Sequence, residues 1–133
     1  MVTKQYTGSP EEAADLRRAD SLGREIFSDV ANKWALLIIE ALGERTLRFS
    51  ELRNEVEGVS HKMLTQNLRM LERNGLVERK VHPTVPPRVE YTLTEPGLGL
   101  RATVDGMCAW THRYVRHIED SRRRFDAPAP APE

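Results

Sequence analysis

Phe49-Ser-Glu-Leu-Arg-Asn-Glu-Val56, Ser60-His-Lys-Met-Leu-Thr-Gln-Asn-Leu-Arg-Met-Leu-Glu-Arg73, Leu76-Val-Glu-Arg-Lys-Val-His82 and Arg88-Val-Glu-Tyr-Thr-Leu93 together decide the fold of this chain. In the first segment Ser50 is placed to cap a short helix whose Leu52 and Val56 share one face, and Gly58 ends it. Ser60 then offers a second N-cap, and that helix continues to Asn74-Gly75, where a left-handed C-cap is natural. Only a few residues separate the two helices. The last two segments alternate apolar and polar residues, which reads as paired strands with one buried face. Between them Pro83-Thr-Val-Pro-Pro87 cannot propagate a ladder, and its fixed φ angles make a stiff extended loop. Helix, tight turn, basic helix and hairpin form the layout of a winged helix-turn-helix, so the fold class expected is α+β, mainly helical.

The second helix carries the functional signal. Leu64, Leu68 and Leu71 recur at four- and three-residue steps and make a narrow buried stripe. Away from it, Lys62, Thr65, Gln66, Arg69 and Arg73 follow the same spacing and present amide, hydroxyl and cationic groups. Such groups read base edges and phosphates in the major groove, where Arg pairs with guanine and Gln with adenine. An ordinary solvated helix face is the bland alternative. The basic hairpin weighs against it: Lys80, His82 and Arg88 flank the proline loop, where they could hold phosphates or enter a minor groove.

Composition sets the outer limits. A chain of 133 residues suffices for one compact domain with a real core. No apolar run approaches the length of a membrane span, and the polar N-terminus has no signal-peptide core, so a cytoplasmic protein with no membrane partner is expected. The single cysteine, Cys108, rules out an internal disulfide framework and a cysteine-rich zinc site. In its apolar helical context Cys108 reads as a small buried residue. Net charge is zero, which is awkward for a DNA binder until the chain is divided. Residues 60–90 hold six Lys or Arg against three acids, and the first thirty hold four against six. The electrostatic footprint depends on this distribution more than on the total.

The flanks supply a means of pairing. Ser9-Pro10-Glu11-Glu12 is a capping box that opens a helix toward Ala19. A separate helix around Leu22 to Val30 would place Leu22, Ile26, Phe27 and Val30 on one side. Asn32 would cap a third, with Trp34, Leu37, Ile38 and Leu42 as its apolar face before Gly43. Thr94-Glu-Pro-Gly caps a long helix to about Arg122 bearing Leu98, Leu100, Val104, Met107, Trp110 and Tyr114. That is more apolar surface than one small domain needs, and a homodimer follows most simply. The expected divisions are an N-terminal arm and helix over 1–20, the winged helix over 21–93, a dimerisation helix over 94–122 and a disordered tail over 123–133. The expected dimer interface comprises Leu22, Ile26, Leu100, Val104, Met107, Trp110 and Tyr114. A small effector of unknown identity could occupy a pocket lined by Trp34, Met107 and Trp110.

Several linked blocks also carry a family resemblance. Asn32-Lys-Trp-Ala-Leu-Leu-Ile-Ile, Leu47-Arg-Phe-Ser-Glu-Leu-Arg, Val59-Ser-His-Lys-Met-Leu-Thr-Gln-Asn-Leu-Arg-Met-Leu-Glu, Gly75-Leu-Val-Glu-Arg and Val85-Pro-Pro-Arg-Val-Glu-Tyr-Thr-Leu-Thr resemble the HxlR family of bacterial transcription regulators. The resemblance implies a homodimeric winged-helix DNA binder whose terminal helices form the dimer interface. It further implies a recognition helix from Ser60, with His61, to Arg73, and a wing from Val81 to Arg88. One departure stands out. Redox-responsive members of the family carry a cysteine where this chain has Ser21, and a serine forms neither a sulfenic acid nor a disulfide.

No enzyme is expected. His61, His82, His112 and His117 lie on different elements without metal-ligand spacing, and no phosphate loop or nucleophile elbow is present. No cofactor or metal is implied. The reading is a sequence-specific regulator of transcription that binds double-stranded DNA as a homodimer on a roughly palindromic operator. The alternative is a winged helix used only for protein contacts, without DNA binding.

Overall fold

The computed structural model describes residues 8–130. Its elements in chain order are α1 (Pro10–Val30), α2 (Lys33–Leu42), β1 (Thr46–Arg48), α3 (Phe49–Glu55), α4 (His61–Arg73), β2 (Val77–His82), β3 (Arg88–Leu93) and α5 (Glu95–Asp126). The three strands form an antiparallel sheet in the order β1-β3-β2. Among the described residues, five helices around this small sheet give the mainly helical α+β winged-helix fold.

Helix starts follow the local chemistry of the sequence. Ser9 accepts from the Glu12 amide while the Glu12 carboxylate accepts from the Ser9 amide, a reciprocal capping box with Pro10 behind it. Asn32 Oδ1 accepts from the Ala35 amide at 2.9 Å, and Ser60 Oγ from the Met63 amide at 3.1 Å. α4 ends in a Schellman motif: Gly75 stands at φ +72°, its amide donates to Glu72 O, and the Leu76 amide donates back to Leu71 O.

Four local expectations need correction. The two helices anticipated before Val30 are one continuous α1, because nothing between Ala19 and Leu22 breaks the ladder. Ser50 is not a cap: α3 starts two residues earlier, at Phe49 with Arg48 at the N-cap, and Glu51 Oε1 accepts from the Arg48 amide at 2.9 Å. The buried face of α2 is Ala35, Ile38, Ile39 and Leu42, while Leu37 is exposed and Trp34 half-buried. α5 continues past Arg122 to Asp126, so the first part of the tail assigned to disorder is helical. Residues 1–7, which hold most of the anticipated N-terminal arm, and residues 131–133 lie outside the described residues.

The core is built on α2. Ile38, Ile39, Leu42, Leu52, Leu64, Leu68 and Leu71 are fully buried, closed by Leu47, Val77, Tyr91 and Leu93 from the inner face of the sheet. α5 is seated on this core by an unusually close approach. Thr94 caps α5 by accepting from the Gly97 amide, and its hydroxyl also donates to Gly75 O at 2.6 Å. Its amide donates to Leu76 O at 3.0 Å. A Cβ on Gly97 would stand 2.1 Å from that same Leu76 carbonyl oxygen, so the helix backbone rests directly on the α4–β2 turn.

A second contact between α2 and α5 is electrostatic. Arg101 Nη2 lies 3.9 Å from Glu40 Oε2. The Asp105 carboxyl, hydrogen-bonded to Glu40, raises the Glu40 pKa, aided by burial and by the repulsion of the Asp105 charge; Arg101 opposes the shift.

Two outcomes are expected. Gly97→Ala forces the Leu76 carbonyl away and should destabilise the fold by about 1–3 kcal/mol, read as a lower midpoint in urea. Because the folded-state pKa of Glu40 is raised, its contribution to stability is fully present below the ordinary carboxylate pKa and is lost as pH rises through the raised value. Glu40→Gln should abolish that pH dependence, whose size stays below about 1 kcal/mol at so solvated a site. A pH profile of Tm unchanged by the substitution would refute the carboxyl pairing.

Candidate nucleic-acid interface

The exposed side of α4 is sharply segregated. At 100° per residue, Leu64, Asn67, Leu68 and Leu71 occupy one arc, and all four are buried. Asn67 was not anticipated among them; its Nδ2 satisfies itself on Met63 O at 2.8 Å, which makes a polar residue tolerable there. Lys62, Gln66, Arg69 and Arg73 fall within about 60° of one another on the opposite side, and all four are exposed. Among the described residues no acid forms an ion pair with these three cations, whereas Arg45 is held by Glu55 and Arg18 by Asp15. The result is a ridge of free cationic and amide donors two turns and more in length.

The other residues assigned to this helix are partly committed elsewhere. The Ser60 hydroxyl is used in capping. Thr65 is half-buried, and its hydroxyl donates to His61 O at 2.8 Å. The His61 ring leans on Phe49 with centroids 4.7 Å apart. These residues support the ridge from its sheet-facing flank.

Strand register divides the hairpin into two faces. Val77 pairs with Leu93, Arg79 with Tyr91 and Val81 with Val89, and this set continues the inner, core-facing surface. Glu78 pairs with Thr92, Lys80 with Glu90 and His82 with Arg88, and these side chains point to the opposite, outer surface. Lys80, His82 and Arg88, the three residues assigned to the wing, therefore sit on the sheet face turned away from α4. Two of them are also engaged. His82 Nε2 stands 2.7 Å from Glu90 Oε1, and Arg88 Nε stands 3.0 Å from the same oxygen. The Arg88 contact is one of charge, since its buried Nε makes no hydrogen bond among the described residues. Lys80, directly opposite Glu90, has no ion pair among the described residues. The proline loop itself lies beside the start of α3, sharing a surface cleft with Arg48, Phe49 and Ser50.

The residues assigned to pairing separate into two groups. Val104 is buried within the protomer, and Ile26 and Leu100 pack against its core. Leu22, Met107, Trp110 and Tyr114 are exposed, at 51%, 65%, 57% and 41%. With Met107 and Trp110 so open, the pocket anticipated between them and Trp34 is not closed in the protomer. Cys108 is exposed, correcting the expectation that it is buried: the stripe of α5 that meets the core ends at Val104, and the helix then leaves the domain.

A three-stranded sheet whose β2–β3 hairpin forms a wing, packed on a tight helix pair with a cationic ridge on the second helix, defines a winged helix-turn-helix regulator of transcription. Residues 29–119 match the family described as HxlR-like helix-turn-helix, and the chain belongs to that family. An HTH-type transcriptional regulator from Methanothermobacter thermautotrophicus is 42% identical over 94 residues, covering 71% of this chain and 72% of that protein. The HTH-type regulator YodB of Bacillus subtilis is 41% identical over 88 residues, covering 66% and 79%. Among solved structures, the putative regulator YtfH from Salmonella typhimurium superposes with a TM-score of 0.65 at 39% identity, covering 76% of this chain and 90% of that one. Diamide-treated YodB superposes at 0.62 with 34% identity, covering 82% and 97%.

Glu90→Gln frees both His82 and Arg88 at the hairpin end. Binding to duplex DNA is expected to strengthen, with a salt slope steeper by about one unit if the freed Arg88 neutralises a further phosphate. Unchanged binding in a salt titration would show that the outer face of the hairpin stays clear of DNA.

Proposed function

We propose that this protein is a homodimeric, sequence-specific regulator of transcription that acts by occupying a roughly palindromic operator. The observation that carries this reading is the ridge of Lys62, Gln66, Arg69 and Arg73, exposed, without ion pairs among the described residues and diametrically opposed to the core. A helix with that cross-section enters a major groove with its donors facing the bases. Gln66 suits an adenine edge, and the flanking cations suit guanine or phosphate. Lys80 and Arg88 add backbone contacts at the wing, with Glu90 moderating their charge. A purely protein-binding winged helix has no need of such a ridge.

Pairing is supported by what the protomer leaves open. Of the 21 residues of α1 only Val30 is buried, while Leu16, Leu22 and Phe27 are exposed. On α5 the stripe that seats Leu100 and Val104 continues at helical spacing through Met107, Tyr114 and Phe125 with no core beneath it. A helix of 32 residues, about 48 Å long, extends well beyond one small domain. A second copy of the same surfaces covers both stripes and spaces two reading helices.

The test is selection of bound sequences from a random duplex pool, followed by titration of the selected duplex. Half-sites should recur about 10 base pairs apart or at a multiple of this, and light scattering should give twice the 15.2 kDa chain mass. Gln66→Ala should cost about 1–3 kcal/mol on the selected duplex and little on random DNA. Failure to enrich any sequence, with no salt-dependent binding, would leave the protein-contact reading standing.

A further inference from the structure

Between α4 and the inner face of the sheet lies a cleft of about 410 Å³ lined by Thr65, Leu68, Arg69, Glu72, Arg79 and Tyr91. Its floor is apolar, formed by buried Leu68 and Tyr91. Its rims are two guanidinium groups, Arg69 from the recognition helix and Arg79 from β2, both exposed. Strand register accounts for Arg79 being there: it pairs with Tyr91 on the inner surface, in phase with Val77 and Val81. Inner-face positions of β2 are buried only as far as Val77. Beyond it the strand runs past the core, and its inner side chains emerge beside α4 rather than beneath it.

We propose that Arg79 and Arg69 together clamp one backbone phosphate of the duplex whose major groove receives α4, making Arg79 a DNA-contacting residue. The inference rests on the reading that α4 enters that groove. Four points support it. First, the cleft is continuous with the ridge, since Arg69 is three residues from Gln66 on the same exposed side. Second, neither guanidinium forms an ion pair among the described residues, although Glu72 lines the same cleft. Third, paired guanidinium forks match the geometry of phosphate oxygens better than a single ammonium does. Fourth, the strand walls of a major groove lie to either side of an inserted helix, which is where a cation on the adjoining sheet faces the backbone. Arg69, on the sheet-facing edge of the ridge, is thereby turned to the backbone while Gln66 stays over the bases.

The experiment uses the full chain and a duplex selected from a random pool, with a scrambled duplex beside it. Arg79→Gln is expected to weaken both duplexes by the same factor and to lower the salt slope by about 0.9. Raising salt fourfold would then cost the wild-type protein about 3.5-fold more affinity than it costs the variant. Arg79→Lys should keep the slope. The one methylphosphonate position that the clamp occupies should weaken Arg79→Gln clearly less than it weakens the wild type, because only Arg69 is left to lose that phosphate, while other positions weaken both proteins equally, a result that loss of a structural role cannot imitate. Thermal melting of each variant identifies any that fail to fold, and the methylphosphonate scan with Arg79→Lys then decides. An unchanged slope for folded Arg79→Gln, with Gln66→Ala still weakening the selected duplex, would overturn the clamp and leave the recognition helix intact. No effect from either substitution would remove α4 itself from the interface. Stabilisation by inorganic phosphate that Arg79→Gln abolishes, with DNA binding unaltered, would assign the cleft to a free anion and overturn the proposal.

Discussion

The architecture depends on the contact between the backbone of Gly97 and the carbonyl of Leu76. α4 must stop within one residue and the chain must turn into β2. The Schellman motif at Gly75 does this by satisfying the carbonyls of Leu71 and Glu72. The carbonyls of Gly75 and Leu76 are then left facing outward, and Thr94 takes both with its hydroxyl and its amide. α5 can approach closely enough for this only because position 97 lacks a side chain. One junction therefore fixes the end of α4, the start of the hairpin and the direction of the long C-terminal helix. A second tie runs from the same end of α4: Asn74 Nδ2 donates to Asp29 Oδ2 at 3.2 Å, joining the helix to the foot of α1.

Charge is distributed to match this frame. Ion pairs are found where elements must be joined or where a solvated helix face is stabilised. Arg45, just before β1, reaches Glu55 of α3 at 2.8 Å, and this hydrogen bond holds the Glu55 carboxyl below the usual carboxylate range. The ridge of α4 is left without such partners among the described residues. A chain with no net charge can thus present a cationic edge, because a carboxylate close to a guanidinium cancels its field locally while one a Debye length away does not. Glu90 shows the local case at the wing, where one carboxylate faces Lys80, Arg88 and the His82 ring and reduces what the hairpin offers to a polyanion.

The sequence by itself determined the order and nature of nearly every element, since the signals were local. Ser9, Asn32, Ser60 and Thr94 each accept from an amide three residues on, which only a helix start provides. The period-two runs fixed the hairpin, and the step from Leu64 to Leu71 fixed which side of α4 is buried and so which side carries Lys62, Gln66, Arg69 and Arg73. β1 is not legible in the sequence, because three residues are too few to show a period and only Leu47 within it is buried. The continuity of α1 is not legible either, because an unpacked helix carries no continuous apolar stripe.

What only the tertiary structure decided is where a face leads. Alternation placed Lys80 and His82 opposite Arg79, but it did not say which side of the hairpin would lie against α4. That follows from β3 pairing with β1 and from Leu47, Tyr91 and Leu93 closing the core, both long-range contacts. Likewise, spacing put Leu100, Val104, Met107 and Tyr114 on one stripe of α5, and could not show that the domain beneath it ends near Val104. A period records which residues share a side; what that side meets is set by elements far away in the chain.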